Sequence, residues 1–463
     1  MTSHQETISV LPSPRRLIEA LRDVGYDFVG AVADLVDNSV AAHATRVDIM
    51  AKWDGSESWL RIADNGRGMA DREITEALRF GSERSYRADD LGKFGLGLKT
   101  ASLSQCRRIS VASRSLVAGS GVQVRRFDLD RIVSEDRWEI EALPVGGSPE
   151  ELVAPLEDGP GTVVLWGQLD RVASRPLRSS ERSERAFWDM IGRLEQHLSM
   201  VFHRFLEDDA ATPSRKKLSI RINNVDVQPW NPFAPEEPAT QHLQAKELEV
   251  AESGVAGVVT FDPWVLPAKE RFSSDSAFQR LSGPSKWNQQ QGFYVYRANR
   301  MIQSGGWSRM RAPDEHSKLA RAAINFFPEL DAAFGINIAK MRINLPASLR
   351  DRLKEPVEAL VRAAKKAYSA PKPARVVAQH SISAASAPVV PAQKPASSPL
   401  RELPSERAQP TFQGTWPPPP LGSTPSIRAA LEAAAEATGD SDALQRILNK
   451  LGEDAPGVAR ALA

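Results

Sequence analysis

The chain has 463 residues, 41% hydrophobic and 25% charged, with a formal net charge of +1, so it exceeds one ordinary core and offers no global electrostatic case for nucleic acid. Its single cysteine, Cys106, excludes an intrachain disulfide framework and suits a reducing compartment. The start MTSHQETISV lacks a basic-then-apolar signal pattern and no apolar run is long enough to cross a bilayer, so a cytoplasmic protein without a membrane partner is expected.

Ser13-Pro14 predicts a helix start, with Ser as cap and Pro in the first turn, ahead of Leu17, Ala20, Leu21 and Val24 at helical spacing. Phe28, Val32, Leu35, Val36 and Val40 recur at the same period, which places Asp34 and Asn38 one turn apart on one helix face. A carboxylate beside a carboxamide suits water activation next to a hydrated Mg²⁺, an ion that takes one or two protein oxygens beside phosphates. Asp34 is the candidate base and Asn38 the candidate Mg²⁺ ligand; alone, the pair reads equally as a solvated helix face.

TRVDIMAKW and SWLRIAD alternate as strands do, and ADNGRGM, Ala63 to Met69, turns the chain at the second strand's end. Gly66 and Gly68 permit positive φ there, and the Asp64 carboxylate is placed to accept from an exocyclic amine; Asp-Asn-Gly is also a common tight turn. DREITEALRF predicts a helix opened by Asp71. Gly81 to Asp90, polar and without period, predicts a lid.

GKFGLGLKT, Gly92 to Thr100, invites a P-loop reading that fails, because Leu98 stands between Gly97 and Lys99 where the motif needs Lys directly after the glycine. What remains is a glycine loop leading into the helical TASLSQ, whose amides suit anionic oxygens, with Lys93 and Lys99 to offset charge. RISVASRS, VQVRRFDLD and GTVVLWGQL follow as strands. The pattern predicts an α+β sandwich, with helices on one side of a mostly antiparallel sheet.

Glu181 to Leu206 predicts one long amphipathic helix opening a second domain, with His197 and His203 as packed helix residues rather than ligands. LSIRINNVDVQPWNPF reads as strand, turn and strand; GFYVYRANRMI and FGINIAKMRINLP carry the second domain onward, and Leu349 to Tyr368 closes it as a charged helix. Residues 371–425 are rich in Pro, Ala and Ser and predict an extended linker, and 426–463 a short helical segment for docking or oligomerisation. Basic clusters stand at Arg215 to Lys217, at Arg309 with Arg311, and at Lys365-Lys366, with acidic residues interspersed.

The order Asp-x-x-x-Asn, DxGxG, GxxGxGxK and a later strand Gly161-Thr162 resembles the GHKL ATPase superfamily of gyrase B, heat-shock chaperones, MutL, MORC proteins and histidine kinases, on the MORC and MutL side. That resemblance implies an ATP-binding α/β sandwich over 13–170, a transducer-like α/β domain over 171–370, and an N-terminal tail or dimer strap over 1–12. It implies ATP and Mg²⁺ as cofactors, with Asp34 activating water, Asn38 holding Mg²⁺, Asp64 contacting adenine beside Gly66, Gly68 and Met69, and Thr162 supporting Asp64. Lys93, Gly95, Gly97, Leu98 and Lys99 fall in the family's ATP lid, and Lys340 matches the transducer lysine that meets the γ-phosphate.

Two departures stand out. Asp34 replaces the usual Glu, losing roughly 1.5 Å of reach, which predicts slow hydrolysis; and Asn38-Ser39-Val40-Ala41-Ala42 lacks the family's second acid. The resulting expectation is a slow ATPase acting as an ATP-gated dimerising clamp, with DNA as a client and a protein partner at the C-terminal helices. A non-hydrolysing nucleotide-gated scaffold is the alternative. A histidine kinase ranks below both, since His4 is the one histidine ahead of the pocket.

Overall fold

Eight strands build the sheet that carries the motifs, and their alternation decides which residues face inward. The structure is a computed structural model that describes residues 12–23, 26–80, 97–171, 180–208, 216–336 and 343–370. Two compact units divide the chain, Met1–Val377 and Ala378–Ala463, and every described residue lies in the first. The expected strap, the lid, Lys93, Gly95, Lys340, the linker and the C-terminal helices lie outside the described residues, apart from residue 12.

The first sheet comprises β1 (Arg46–Lys52), β2 (Trp59–Asp64), β3 (Cys106–Arg114), β4 (Gln123–Asp128), β5 (Glu141–Leu143), β6 (Gly161–Leu169), β7 (Ser219–Ile222) and β8 (Val225–Asp226). Its order is β5-β4-β3-β6-β2-β1-β7-β8, antiparallel except for the parallel β1/β7 pair. LSIRINNVDV, expected within the second domain, instead finishes the first sheet: Val47 and Ile49 of β1 lie beside Ile220 and Ile222 of β7.

Helices α1 (Pro14–Arg22), α2 (Phe28–Ala41), α3 (Asp71–Leu78) and α4 (Gly97–Leu103) fall on segments expected to be helical, whereas α5 (Leu129–Glu135) begins inside VQVRRFDLD, where only a strand was expected. Ser13 caps α1 by accepting from the Arg16 amide. α3 opens at Asp71 as expected, and Glu73 reaches back to the amide of Ala70 at the cap position. Ile18, Val32, Leu35, Val36, Ile49, Ile62, Leu103 and Trp166 meet in one buried cluster between these helices and the sheet.

The opposite face is not left bare. α6 (Glu150–Val153) and the following turn bring Leu152 and Leu156 onto Ala63, Ala112, Val124 and Val163, a small apolar patch that needs covering at that end of the sheet. This corrects the expectation of helices on one side only.

The single long helix expected over 181–206 breaks at Phe202 into α7 (Glu181–Val201) and α8 (His203–Leu206), so His203 turns inward, buried, with Nε2 2.8 Å from the Tyr296 hydroxyl. The second sheet contains β9 (Gln241–His242), β10 (Lys246–Glu252), β11 (Val255–Val265), β12 (Gly292–Arg297), β13 (Arg300–Ser304) and β14 (Ala320–Phe326), in the order β10-β11-β14-β12-β13 with β9 on β11. Short helices α9 (Asp275–Leu281) and α10 (Lys286–Gln290) and the long α11 (Ala347–Tyr368) pack against it, with Phe293, Val295, Ile324, Leu353 and Leu360 in a second apolar cluster. Tyr294, Tyr296 and Met301 instead face the first cluster, so the two sheets share a core.

One buried ion pair fixes the β12 end of that sheet. Arg297 donates from Nε and Nη2 to the two carboxylate oxygens of Asp331 at 2.7 and 2.9 Å, both residues nearly wholly buried. Removing the carboxylate leaves a buried guanidinium without its acid, which costs about 3–5 kcal/mol. Asp331→Ala is thus expected to lower the denaturation midpoint sharply, whereas exchanging a solvent-facing pair such as Arg362 with Glu358 leaves it nearly unchanged.

Candidate functional site

Helix α2 carries the acidic end of the site. Asp27 caps it by accepting from the Gly30 amide, and the apolar period of its sequence buries one face against the sheet. The same period buries Asp34 and Asp37, at 4% and 1% exposure, and leaves Asn38 in solvent. Asp34 Oδ2 accepts the Tyr26 hydroxyl at 2.8 Å, and its Oδ1 lies 4.0 Å from Arg300 Nη2. Burial, with Asp34 alongside, pushes the Tyr26 phenol far above its ordinary range, so it remains a proton donor to Asp34. The Thr100 hydroxyl bonds Tyr26 in turn, linking the end of the glycine loop to Asp34 through two hydroxyls.

Asp64 ends β2 opposite Thr162 of β6. Its carboxylate accepts from the Ser39 hydroxyl at 3.0 Å, from the Gly66 amide at 2.9 Å, and from the Thr162 amide. Loss of hydration raises the Asp64 pKa above the usual carboxylate value, and these three donors oppose that shift. Around it the hydroxyls are chained: Ser113 lies 2.9 Å from the Thr162 hydroxyl, donates to the Gly161 carbonyl at 2.8 Å and accepts the Met69 amide at 2.8 Å.

The turn after Asp64 is sewn to both neighbours. Arg67 donates its amide to the Ala42 carbonyl at 2.9 Å and accepts from the Leu116 amide at 2.8 Å. Gly68, at φ +62°, passes so close to β3 that a Cβ would lie 1.8 Å from the Arg114 carbonyl oxygen. Gly66 is nearly as confined, its Cβ position 2.8 Å from Ala42 Cβ. The Asn65 carboxamide accepts from the Thr45 and Arg46 amides at 2.9 and 2.8 Å, holding the start of β1 to the turn.

The glycine loop is described from Gly97 onward. Gly97 passes Asp34, its Cβ position 3.8 Å from Oδ2, and Leu98 packs against the first core. Lys99 departs from the expected phosphate-facing cation: it is 1% exposed, its ammonium donates to the Arg79 carbonyl, and it sits 5.7 Å from the Phe80 ring. Burial lowers its pKa to about 8.

The structure thus gathers Asp34, Gly97 and Thr100 at one point and Asp64, Gly66, Met69 and Thr162 at another, joined through α2 and Ser39. Tyr26, Ser113 and Arg300 carry no motif, which is why sequence reading missed them; Ser39 was visible in the Asn38-Ser39 pair. Among the described residues no group of three or more His, Cys, Asp or Glu could hold a metal by itself. A hard cation taking one oxygen from Asn38 and the rest from phosphate and water fits such a surface. Among those residues no helix is long and apolar enough to cross a membrane.

Residues 26–155 match the family model described as histidine kinase-, DNA gyrase B- and HSP90-like ATPase. The chain is similar to the DNA mismatch repair protein MutL of Rhizobium rhizogenes, 34% identical over 97 residues, 20% of this chain and 16% of that one. It is 27% identical over 182 residues to the ATPase morc-1 of Caenorhabditis elegans, covering 32% of this chain and 21% of the relative. The DNA mismatch repair protein MLH1 of Saccharomyces cerevisiae is 27% identical over 177 residues, 36% of this chain and 20% of that one. The chain therefore spans about a fifth or less of the length of each of these three relatives.

Proposed function

Since this chain carries a GHKL-type ATPase domain akin to those of MutL and MORC proteins, we propose that it is a slow, Mg²⁺-dependent ATPase whose protomers dimerise on ATP and reopen after hydrolysis. The observation that carries the reading is the Asp64 cluster. A carboxylate fixed by Ser39, Gly66 and Thr162 at a strand end is a rigid acceptor for the amine edge of adenine, and it cannot swing away to solvent. Asp34 lies on the same helix as Ser39, beside Gly97 where the phosphate loop ends.

In this reading Asp34 orients and deprotonates the attacking water, and Asn38 would hold a Mg²⁺ that would supply positive charge beside the phosphates. Lys340 meets the γ-phosphate, and Lys93, Gly95, Gly97, Leu98 and Lys99 close over the nucleotide. For Lys99 this requires its ammonium to leave the Arg79 carbonyl when ATP enters. The client is DNA, held through phosphates by basic side chains such as the exposed Arg309, and residues 426–463 recruit a protein partner.

Steady-state phosphate release with Mg²⁺ and with EDTA tests the chemistry; light scattering with a non-hydrolysable ATP analogue tests the clamp. Mg²⁺-dependent turnover and a doubled mass with analogue are expected. Binding without turnover selects the scaffold, and an unchanged mass removes the clamp. Absence of any retention on DNA at low salt removes that client.

A further inference from the structure

Arg300, which lies in the GFYVYRANRMI segment, reaches across from the second sheet to α2. Its Nε lies 3.2 Å from both carboxylate oxygens of Asp37, its Nη1 donates to the Met301 carbonyl at 3.0 Å, and Nη2 points toward Asp34 Oδ1 at 4.0 Å. All three side chains are nearly wholly buried. One guanidinium thus spans the two acids that lie a turn apart on the helix bearing the candidate base.

The hairpin presenting it is stiff. Ala298 and Asn299 both take positive φ, +46° and +69°, in a two-residue turn between the paired Arg297 and Arg300, the geometry that matches strand twist. Arg297 is locked to Asp331. Arg204 of α8 donates to Asn299 and Asn325 at 3.3 and 2.8 Å and lies 3.5 Å over the Tyr296 ring. Arg300 therefore follows the second sheet as a rigid extension of it, not as a loose side chain.

We propose that Arg300 is a positioning residue for Asp34: paired with Asp37, it ties the β12–β13 hairpin to the turn of α2 that carries the candidate base. Water activation then requires the second sheet to be seated against the first. Tyr26 holds Asp34 from the glycine-loop side and Arg300 from the second sheet, so the carboxylate is set by two parts of the chain. This inference rests on the ATPase reading above and assigns the control of that same site.

The test compares the parent with Arg300→Lys and with the double variant Asp37→Asn/Arg300→Gln, which removes both members of the close pair together and so leaves no Asp37 carboxylate without its cation. Phosphate release gives kcat and KM, and ATP binding is measured by calorimetry on the full chain. The double variant is expected to lose roughly 100-fold in kcat, the cost of misplacing a catalytic group by about 1 Å, with ATP Kd within about threefold. Arg300→Lys, which keeps the charge but not the second branch, is expected to lower kcat by between about threefold and tenfold. If the double variant does not fold, Arg300→Lys decides the matter, and a kcat equal to the parent's overturns the proposal. A kcat within about threefold of the parent in the double variant, or a loss confined to KM, likewise assigns Arg300 a packing role alone. A parent without Mg²⁺-dependent turnover rejects the ATPase reading itself and the inference with it, an outcome distinct from an active parent with indifferent variants.

Discussion

Asp34→Asn is expected to lower kcat for ATP by at least about 100-fold, the scale of a lost general base, with ATP Kd within about threefold. The amide is nearly the same size, so the buried site need not repack. Its oxygen still accepts the Tyr26 hydroxyl, and Arg300 keeps Asp37 as its main partner. What is lost is the ability to take a proton from water. Phosphate release and calorimetric titration of the same preparation separate the two effects. Turnover within threefold of the parent shows that another group activates water, whereas lost binding shows that Asp34 holds nucleotide.

The parent's own rate bears on the same point. Asp34 is short, and in this structure its Oδ2 is engaged by Tyr26 and its Oδ1 faces Arg300. A short carboxylate engaged by the Tyr26 hydroxyl reaches water less readily than a longer, freer one. The Thr100 to Tyr26 bond gives the end of the glycine loop a direct hold on that engagement.

Local chemistry was readable where it repeats locally. The Ser13-Pro14 cap, the apolar period of α2, the strand alternation of β1 and β2 and the glycine turn after Asp64 are set by neighbours within a few residues, and the α+β class follows from them. Gly68 was legible as a residue needing positive φ; its near-contact with the Arg114 carbonyl was not, because β3 arrives much later in the chain. The break at Phe202 was missed because the apolar stripe runs on through it, and α6 because its segment is too short to show a period. The contact between Arg300 and Asp37 spans 263 residues of sequence, and no local pattern encodes such a pair. Lys99 has the opposite lesson: a lysine in a glycine loop suggests phosphate, yet its ammonium is enclosed at the Arg79 carbonyl.

Asp64→Ala is expected to raise the Kd for ATP by roughly 10- to 100-fold, equivalent to about 1.5–3 kcal/mol for a lost hydrogen bond to a charged group. The truncation also strips the Ser39 hydroxyl and the Gly66 and Thr162 amides of their shared acceptor. Thermal unfolding therefore accompanies the binding measurement, so that loss of the acceptor is not confused with loss of the fold. The parent's pH dependence supplies an independent arm. Burial raises the folded Asp64 pKa above its ordinary value, so protonation favours the fold: that contribution is full below the unfolded pKa and is lost as pH rises through the folded one. Adenine's amine requires the ionised form, so ATP affinity runs the other way, falling as pH drops through that raised midpoint. Calorimetry at successively lower pH should show this fall in the parent and not in Asp64→Ala; equal affinities in the two proteins at neutral pH place the adenine elsewhere.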